Sequence, residues 1–155
     1  MKNKICFSSS TDLFKAKGKR IGHSNWYKID QTLINEFAKA TGDNQWIHVD
    51  KKKAAALSPY KNTIAHGYLT LSLLPKFANE IWECSNLSLI LNYGSENIRF
   101  ITPVVCNDDV RAVIYFEDIY DYKKGILLKS KVDIEIKNKP KIAMSAITLS
   151  LLYFN

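Results

Sequence analysis

Two shortages narrow the class of this protein, since it has few cysteines and no long hydrophobic run. Cys6, Cys84 and Cys106 are odd in number, widely spaced and form no CxxC pair, which indicates neither a disulfide framework nor a zinc site. The strongly hydrophobic segment at residues 64–75 is about a dozen residues long, well short of the roughly 20 residues that a membrane helix needs. We therefore expect free thiols and no membrane partner.

The first residues do not fit the pattern of a secretory leader. Residues 1–7 have the basic start of a signal peptide, but residues 8–12 are polar. Lys15 and Lys17 then stand where the apolar stretch of a signal peptide should follow. We expect a cytoplasmic protein.

The chain is basic, with a formal net charge of +7, but its lysines are scattered and match no nucleic-acid-binding module. We therefore expect no nucleic acid partner, because a small anionic ligand or solubility accounts for the charge equally well. Hydrophobic residues make up 46% and charged residues 24% of the 155 residues, as in a globular domain with a core. We expect one domain over residues 1–155, with residues 1–22 as an N-terminal extension packed on or near it.

The first half of the sequence predicts a strand and then a helix. Residues 23–29 are rich in aromatic side chains and predict the first strand. Asp30 is a good N-cap for a helix over residues 31–41, and Gly42 supplies the permissive residue that ends helices. Residues 43–48 are then expected to form a turn.

Two more helices are predicted before the sequence changes character. Asp50 caps a short helix over residues 51–57. Residues 67–82 are apolar nearly all the way round, which predicts a helix buried on several sides. Pro75 removes a backbone donor inside this segment, so we expect a kink there.

The second half of the sequence is rich in β-forming residues. Five runs separated by turn residues predict strands, namely residues 88–93, 97–101, 110–120, 126–137 and 142–154. Apolar and charged residues alternate over residues 128–137, so one face of the sheet is buried and the other is wet. Helices followed by strands predict an α+β fold, in which an antiparallel sheet packs on the hydrophobic helix.

Two segments place proton-transferring groups at the edges of apolar structure, residues 41–48 (TGDNQWIH) and residues 63–67 (TIAHG). Hydration of a double bond conjugated to a carbonyl needs a base, an acid and hydrogen-bond donors for the transient enolate oxygen. Asp43 and His48 are candidates for the acid–base tasks. The backbone N–H of Gly67, at the start of the buried helix, is the candidate donor.

The residues around these segments resemble a known family. One block in register consists of Phe37, Thr41, Gly42, Asp43, Ile47, His48 and Ala54, and a second consists of residues 65–67, Leu69 and residues 72–74. Residues 92–94 and 99–100, before Pro103 and Val104, resemble the segment that enters the sheet in one branch. Over most of its length the chain resembles the MaoC-like dehydratases, also called hydratase 2, and especially the nodulation-protein-N-like branch.

The resemblance implies a hotdog fold, in which an antiparallel sheet wraps around a long central helix, and a homodimer. It implies that Asp43 and His48 are catalytic and that Gly67 lines the oxyanion site. The implied reaction is (R)-specific hydration of an enoyl thioester, or the reverse dehydration of a 3-hydroxyacyl thioester. The thioester is carried by coenzyme A or an acyl carrier protein, and no metal or redox cofactor is implied.

Two positions depart from the family pattern, Gln45 where it has asparagine and Trp46 where it has proline. Gln45 keeps an amide but moves it by one methylene, and Trp46 is expected to restrict or reshape the pocket. Both are therefore candidate substrate-binding residues. They also keep open a second function, that of a non-catalytic acyl-thioester-binding subunit.

Other interpretations remain open at this stage. Asp43 after a glycine is typical of a residue that forms a local turn. His66 is a candidate substrate-facing residue, although a histidine at a helix start more often bonds loop carbonyls. A hotdog thioesterase is the alternative enzyme, but those proteins resemble one another in a carboxylate on the central helix, and residues 67–75 contain none.

Overall fold

The computed structural model describes residues 4–155, so the start of the expected N-terminal extension lies outside the described residues. The strands are β1 (Ile5–Phe7), β2 (Lys19–His23), β3 (Tyr27–Lys28), β4 (Trp82–Cys84), β5 (Leu87–Phe100), β6 (Asp109–Tyr122), β7 (Gly125–Ile136) and β8 (Met144–Phe154). The helices are α1 (Ser10–Phe14), α2 (Gln31–Thr41), α3 (Trp46–Val49), α4 (Lys51–Leu57), α5 (Gly67–Ser72) and α6 (Leu74–Ile81).

One antiparallel sheet dominates the molecule. Its strand order is β2-β6-β7-β8-β5, and β3 pairs with β6 beyond the end of β2. The predicted alternation in β7 is confirmed, since Val132, Ile134 and Ile136 are buried while the residues between them are half-buried. Helix α6 packs its buried side chains, Phe77 foremost, on this apolar face. The core therefore lies between one helical layer and one face of the sheet.

Local signals place α2 and α4 where the sequence predicts them. The Asp30 carboxylate accepts a hydrogen bond from the backbone N–H of Leu33, and Gly42 ends α2 with a left-handed φ of 78°. The Asp50 carboxylate likewise caps α4 through the N–H of Lys53. These caps satisfy backbone donors of the first turn, so both helices begin where the capping residue stands.

The prediction of one strand over residues 23–29 is wrong, because β2 ends at His23 and β3 begins at Tyr27. Buried Ser24 causes the interruption. Its hydroxyl accepts a hydrogen bond from the backbone N–H of Ala112 at 3.0 Å, and its own N–H donates to the Ala112 carbonyl at 2.9 Å. A side chain thus replaces a backbone acceptor, and regular pairing resumes only at Tyr27.

The two strands predicted over residues 88–93 and 97–101 are one strand, β5. Gly94 does not break it. The register with β8 shifts between Asn92 and Gly94 and again between Glu96 and Arg99, so irregularities of pairing replace the expected turn.

The helix predicted over residues 67–82 consists of α5 and α6, which are separated at Leu73. The expected interruption is present, but Pro75 lies in the first turn of α6, where its missing N–H has no intrahelical partner to lose. Trp82 belongs to β4 instead. Burial on several sides is wrong, since the sheet covers one side of these helices while Tyr68 on the other is exposed.

Candidate active site

Helix α2 holds the backbone of His48 in place. The side-chain amide of Gln31, at the start of α2, donates a hydrogen bond to the His48 carbonyl at 2.8 Å. The Thr63 hydroxyl donates in turn to the Gln31 amide oxygen at 2.5 Å. Both Gln31 and Thr63 are buried, so these bonds are shielded from water and fix the short helix α3. Residues 43–48 are therefore only partly the expected turn, since α3 begins at Trp46.

The ring of His48 has a defined tautomer. Its Nδ1 lies 2.8 Å from the Ile64 carbonyl, so Nδ1 carries the hydrogen and donates it. Nε2 is then the unprotonated nitrogen of the neutral ring. Burial lowers the pKa of His48 below its ordinary value, and neighbouring His66 lowers it further. The hydrogen bond to Ile64 has the opposite effect and raises the pKa. His48 is thus held as a neutral base.

His66 packs against one face of the His48 ring. The two rings stack with their centroids 3.8 Å apart, and His66 is buried. Its Nε2 donates a hydrogen bond to the Asp43 carbonyl at 3.0 Å, while its Nδ1 is buried without a partner among residues 4–155. The interpretation of His66 as a residue that bonds a loop carbonyl fits this geometry, and its ring positions both Asp43 and His48.

The two carboxylate oxygens of Asp43 have different surroundings, one in the local turn and one near His66. One carboxylate oxygen accepts a hydrogen bond from the backbone N–H of Gln45 at 3.3 Å, as a turn-forming aspartate does. The other carboxylate oxygen lies 4.0 Å from Nε2 of His66. The side chain is 55% exposed, so solvent reaches the carboxylate beside the two buried histidines.

A cavity of about 220 Å³ brings His48 and Gly67 together. Gly67 is the first residue of α5, so its N–H has no partner within the helix. A Cβ at Gly67 would lie 3.0 Å from the ring of Phe100, which also lines the cavity. Glycine at this position therefore keeps space between α5 and the end of β5.

The same side chains have the spacing of a metal site. One carboxylate oxygen of Asp43 and one ring nitrogen each of His48 and His66 all lie within 4.8 Å of one another. Two histidines and a carboxylate suit a zinc ion. His48 Nδ1 and His66 Nε2 are already engaged with backbone carbonyls. Metal binding and proton transfer would compete for the remaining nitrogen lone pairs.

Of the predicted site residues only His48 and Gly67 line this cavity, whereas Asp43, His66, Gln45 and Trp46 do not. Gln45 is exposed and precedes α3 without a side-chain capping bond. Trp46 is half-buried, and the Lys53 ammonium lies 5.2 Å from the centre of its ring. Neither residue is among those that line the cavity, so the structure gives no support to Trp46 as a pocket wall in this chain.

Two supports of the site were missed from the sequence. Gln31 was counted only as the first residue of a helix, although a polar residue sharing the buried face of α2 with Ile34 and Ala38 is a usable signal. Phe100 carried no local sign of its contact with Gly67, because that contact depends on where β5 ends against α5.

A six-stranded antiparallel sheet packed on one helical layer, with a histidine and a helix-start glycine at one cavity, defines a hotdog-fold protein of the hydratase type. The solved R-hydratase PhaJ1 from Pseudomonas aeruginosa has this fold, with a TM-score of 0.73, 19% identity, and coverage of 90% of this chain and 83% of that one. A chain of the ChsH1-ChsH2 complex from Mycobacterium tuberculosis matches with a TM-score of 0.66 and 21% identity, over 85% of this chain and 97% of that one. The predicted α+β hotdog fold is confirmed.

The family follows from sequence comparison. The model of the MaoC like domain matches residues 13–138. A 3-hydroxyacyl-thioester dehydratase Z from Mycobacterium tuberculosis is 39% identical over 144 residues, which cover 91% of this chain and 95% of that protein. Nodulation protein N from Rhizobium meliloti is 38% identical over 156 residues, covering 95% of this chain and 92% of that protein. The chain belongs to the MaoC-like dehydratase family.

Proposed function

We propose that this chain is a hydro-lyase that hydrates enoyl thioesters and dehydrates 3-hydroxyacyl thioesters. The observation that carries the proposal is the meeting of neutral His48 and the N–H-bearing end of α5 at one cavity. One carboxylate oxygen of Asp43 lies within 4.8 Å of a ring nitrogen of His48. The 3-hydroxyacyl-thioester dehydratase among its relatives supports the same chemistry.

In the hydration direction, one water is held between the Asp43 carboxylate and Nε2 of His48. His48 takes a proton from this water as its oxygen adds to the β-carbon of the enoyl group. Charge moves to the thioester oxygen, which accepts a hydrogen bond from the N–H of Gly67. The protonated His48 then returns the proton to the α-carbon, while the Asp43 carboxylate stabilises the imidazolium. In keeping with the family resemblance, we propose an (R)-3-hydroxyacyl product.

The test is hydration of crotonyl-coenzyme A, followed by loss of the ultraviolet absorbance of its conjugated double bond. Loss of absorbance without release of free thiol supports the hydratase. Release of thiol would instead indicate a thioesterase, and tight binding without either change would indicate a binding subunit. Asp43→Asn keeps the shape of the side chain but removes its charge, so hydration should fall by about two to four orders of magnitude. Near wild-type hydration in that variant would remove Asp43 from the mechanism.

Several wider features belong to the same proposal. The substrate is carried by coenzyme A or an acyl carrier protein, and the acid–base steps above use no metal or redox cofactor. We propose one domain over residues 1–155, which is supported by the burial of Phe7 and Leu13 of the N-terminal extension in the core. A cytoplasmic location agrees with its three free cysteines. Among residues 4–155, no helix is long and apolar enough to cross a membrane.

The chain is proposed to act as a homodimer. Strand β5 forms one edge of the sheet along its 14 residues. It exposes large apolar side chains, including Leu89, Ile90, Leu91 and Tyr93. An exposed apolar edge strand is a template for pairing with a second strand, and a second copy of the same chain supplies a strand of matching character.

A further inference from the structure

A second and larger cavity, of about 400 Å³, lies between the helices and the sheet. Apolar side chains of α5 and α6 form one wall, including Leu71, Leu74 and Ala78. The floor is apolar too, with the buried side chains of Leu128 and Val132 on β7. A cavity of this size is large enough for part of a small-molecule ligand, such as an acyl chain.

A row of hydroxyls crosses the sheet in this cavity. Ser130 on β7 pairs with Thr148 on β8, and Thr148 pairs with Ser95 on β5. Side chains of directly paired residues lie on the same face of an antiparallel sheet, and all three line the cavity. We call Ser130, Thr148 and Ser95 the hydroxyl row. One step along the strands, Ser150 pairs with Asn92, and both also line the cavity.

Ser130 is the member of the hydroxyl row that indicates a ligand. It is only 7% exposed and occupies an inward position of β7 between the aliphatic Leu128 and Val132. Its hydroxyl forms no hydrogen bond with any other residue in the described range 4–155, and the residue lines the cavity. A ligand oxygen in the cavity would supply the hydrogen-bond partner that the protein does not.

The hydroxyl row lies within reach of the proposed active site. Gly67 and Thr70 of α5 line the cavity beside His48, whereas the next residues, Leu71 and Ser72, line the larger cavity. On the sheet side, Phe100 of β5 lines the smaller cavity and Ser95 of β5 lines the larger one. These two residues are about 16 Å apart at the usual rise of a strand. A thioester at Gly67 therefore places the distal half of a long acyl chain, such as a hexadecanoyl group, beside the hydroxyl row.

We infer that this enzyme takes acyl groups that carry an oxygen function, a hydroxyl or a carbonyl, in the distal half of the chain. The inference rests on the proposed hydratase function. The apolar walls hold the methylene groups, and the hydroxyl row binds the oxygen through Ser130. The pantetheine arm of the carrier also contains oxygen functions, but it must leave the protein at its far end. Buried Ser130 marks the inside of a cavity, which suits the end of an acyl group.

The experiment measures equilibrium binding by calorimetry, using saturated thioesters that cannot be hydrated. Hexadecanoyl-coenzyme A is compared with a series of hydroxyhexadecanoyl-coenzyme A thioesters whose hydroxyl occupies successive positions in the distal half of the chain. The best of this series should bind about tenfold more tightly than hexadecanoyl-coenzyme A. Ser130→Ala should remove most of that preference while leaving the affinity for hexadecanoyl-coenzyme A nearly unchanged.

Ser145→Ala is the matched control. Ser145 lies on β8 but bonds Asp133 and does not line the cavity, so its loss should leave the preference intact. Equal affinity of the wild type for plain and hydroxylated chains would overturn the inference, and so would a preference that survives Ser130→Ala. If Ser130→Ala weakens coenzyme A itself and all thioesters alike, the cavity holds the pantetheine arm and the acyl assignment is overturned. Crotonyl-coenzyme A hydration tests the proposed function separately, because this short chain does not reach the hydroxyl row.

Discussion

The stacked histidines show how burial of the His48 ring changes its protonation. His66 stacks on one face of the His48 ring, and the Ile64 carbonyl accepts a hydrogen bond from Nδ1. Only Nε2 of His48 is then available to bind a water or a substrate. Burial disfavours the imidazolium, which explains the lowered pKa of His48. At a given mildly acidic pH, a larger fraction of His48 than of an exposed histidine therefore has the lone pair that activates water.

This lowered pKa sets the expected pH dependence. The rate constant kcat/KM for crotonyl-coenzyme A should rise as His48 loses its proton, with a midpoint below the ordinary histidine value of about 6.5. Because the folded pKa lies below the unfolded one, His48 contributes stability above pH ~6.5 and loses it as the pH falls through the folded value. His48→Gln should flatten both dependences in this window.

The measurements are a kcat/KM profile and urea unfolding between mildly acidic and neutral pH. His23→Gln replaces a histidine outside the site and should leave the kinetic midpoint where it is. A midpoint above the ordinary value would contradict the neutral-base assignment.

The ring of Phe100 limits the size of the side chain that fits at position 67. In Gly67→Ala the new Cβ would lie 3.0 Å from that ring, so the ring of Phe100 must move and the cavity that both residues line changes shape. We expect kcat/KM to fall by about 10- to 100-fold, since small displacements of a reacting group are costly. The thermal midpoint should change little, because Phe100 is 47% exposed and free to move outward.

The compensating variant is Gly67→Ala combined with Phe100→Leu, which makes room for the methyl group. Recovery of a substantial part of the rate is expected in that double variant. If Gly67→Ala alone keeps full activity, the start of α5 is not the oxyanion site.

At the scale of elements, α2 determines where α3 presents His48. The amide of Gln31 joins the His48 carbonyl to the Thr63 hydroxyl inside the protein. Gln31→Ala leaves both groups buried without this partner, so the free energy of unfolding should fall by about 1–3 kcal/mol. Activity should fall as well, because α3 loses its connection to α2.

Urea unfolding and crotonyl-coenzyme A hydration measure these two effects of Gln31→Ala. Gln45→Ala provides a control for stability, since Gln45 is exposed and its side chain does not cap α3. Equal loss of stability in the two variants would show that Gln31 has no special role.

At the scale of the whole molecule, the proposed homodimer rests on the exposed edge at β5. We expect sedimentation at micromolar concentration to give a dimer. Ile90 on β5 is 46% exposed, and Ile90→Lys places a charge on this edge, which natural proteins use to block strand pairing. This variant should sediment as a monomer.

Leu57→Lys is the matched control, because Leu57 is an exposed apolar residue on α4. It should remain a dimer. A wild-type monomer, or a dimer that persists in Ile90→Lys, would place any interface elsewhere.

The sequence by itself determined the features that depend on neighbouring residues. Asp30 and Gly42 bound α2, Asp50 starts α4, and the alternation in β7 separates its two faces. Each follows from capping or side-chain period, which need only a few consecutive residues. The order of residues around Asp43 and His48 also indicated the family, which the comparisons confirm.

Only the tertiary structure decided what depends on residues far apart in the chain. The stacking of His66 on His48, the bond from Gln31 to His48 and the contact of Phe100 with Gly67 each join separate elements. The hydroxyl row arises from the register of β7, β8 and β5. A shift of one residue in any of these strands would turn its hydroxyl to the other face. That register is fixed by packing of the whole sheet, so no local pattern in the sequence reveals it.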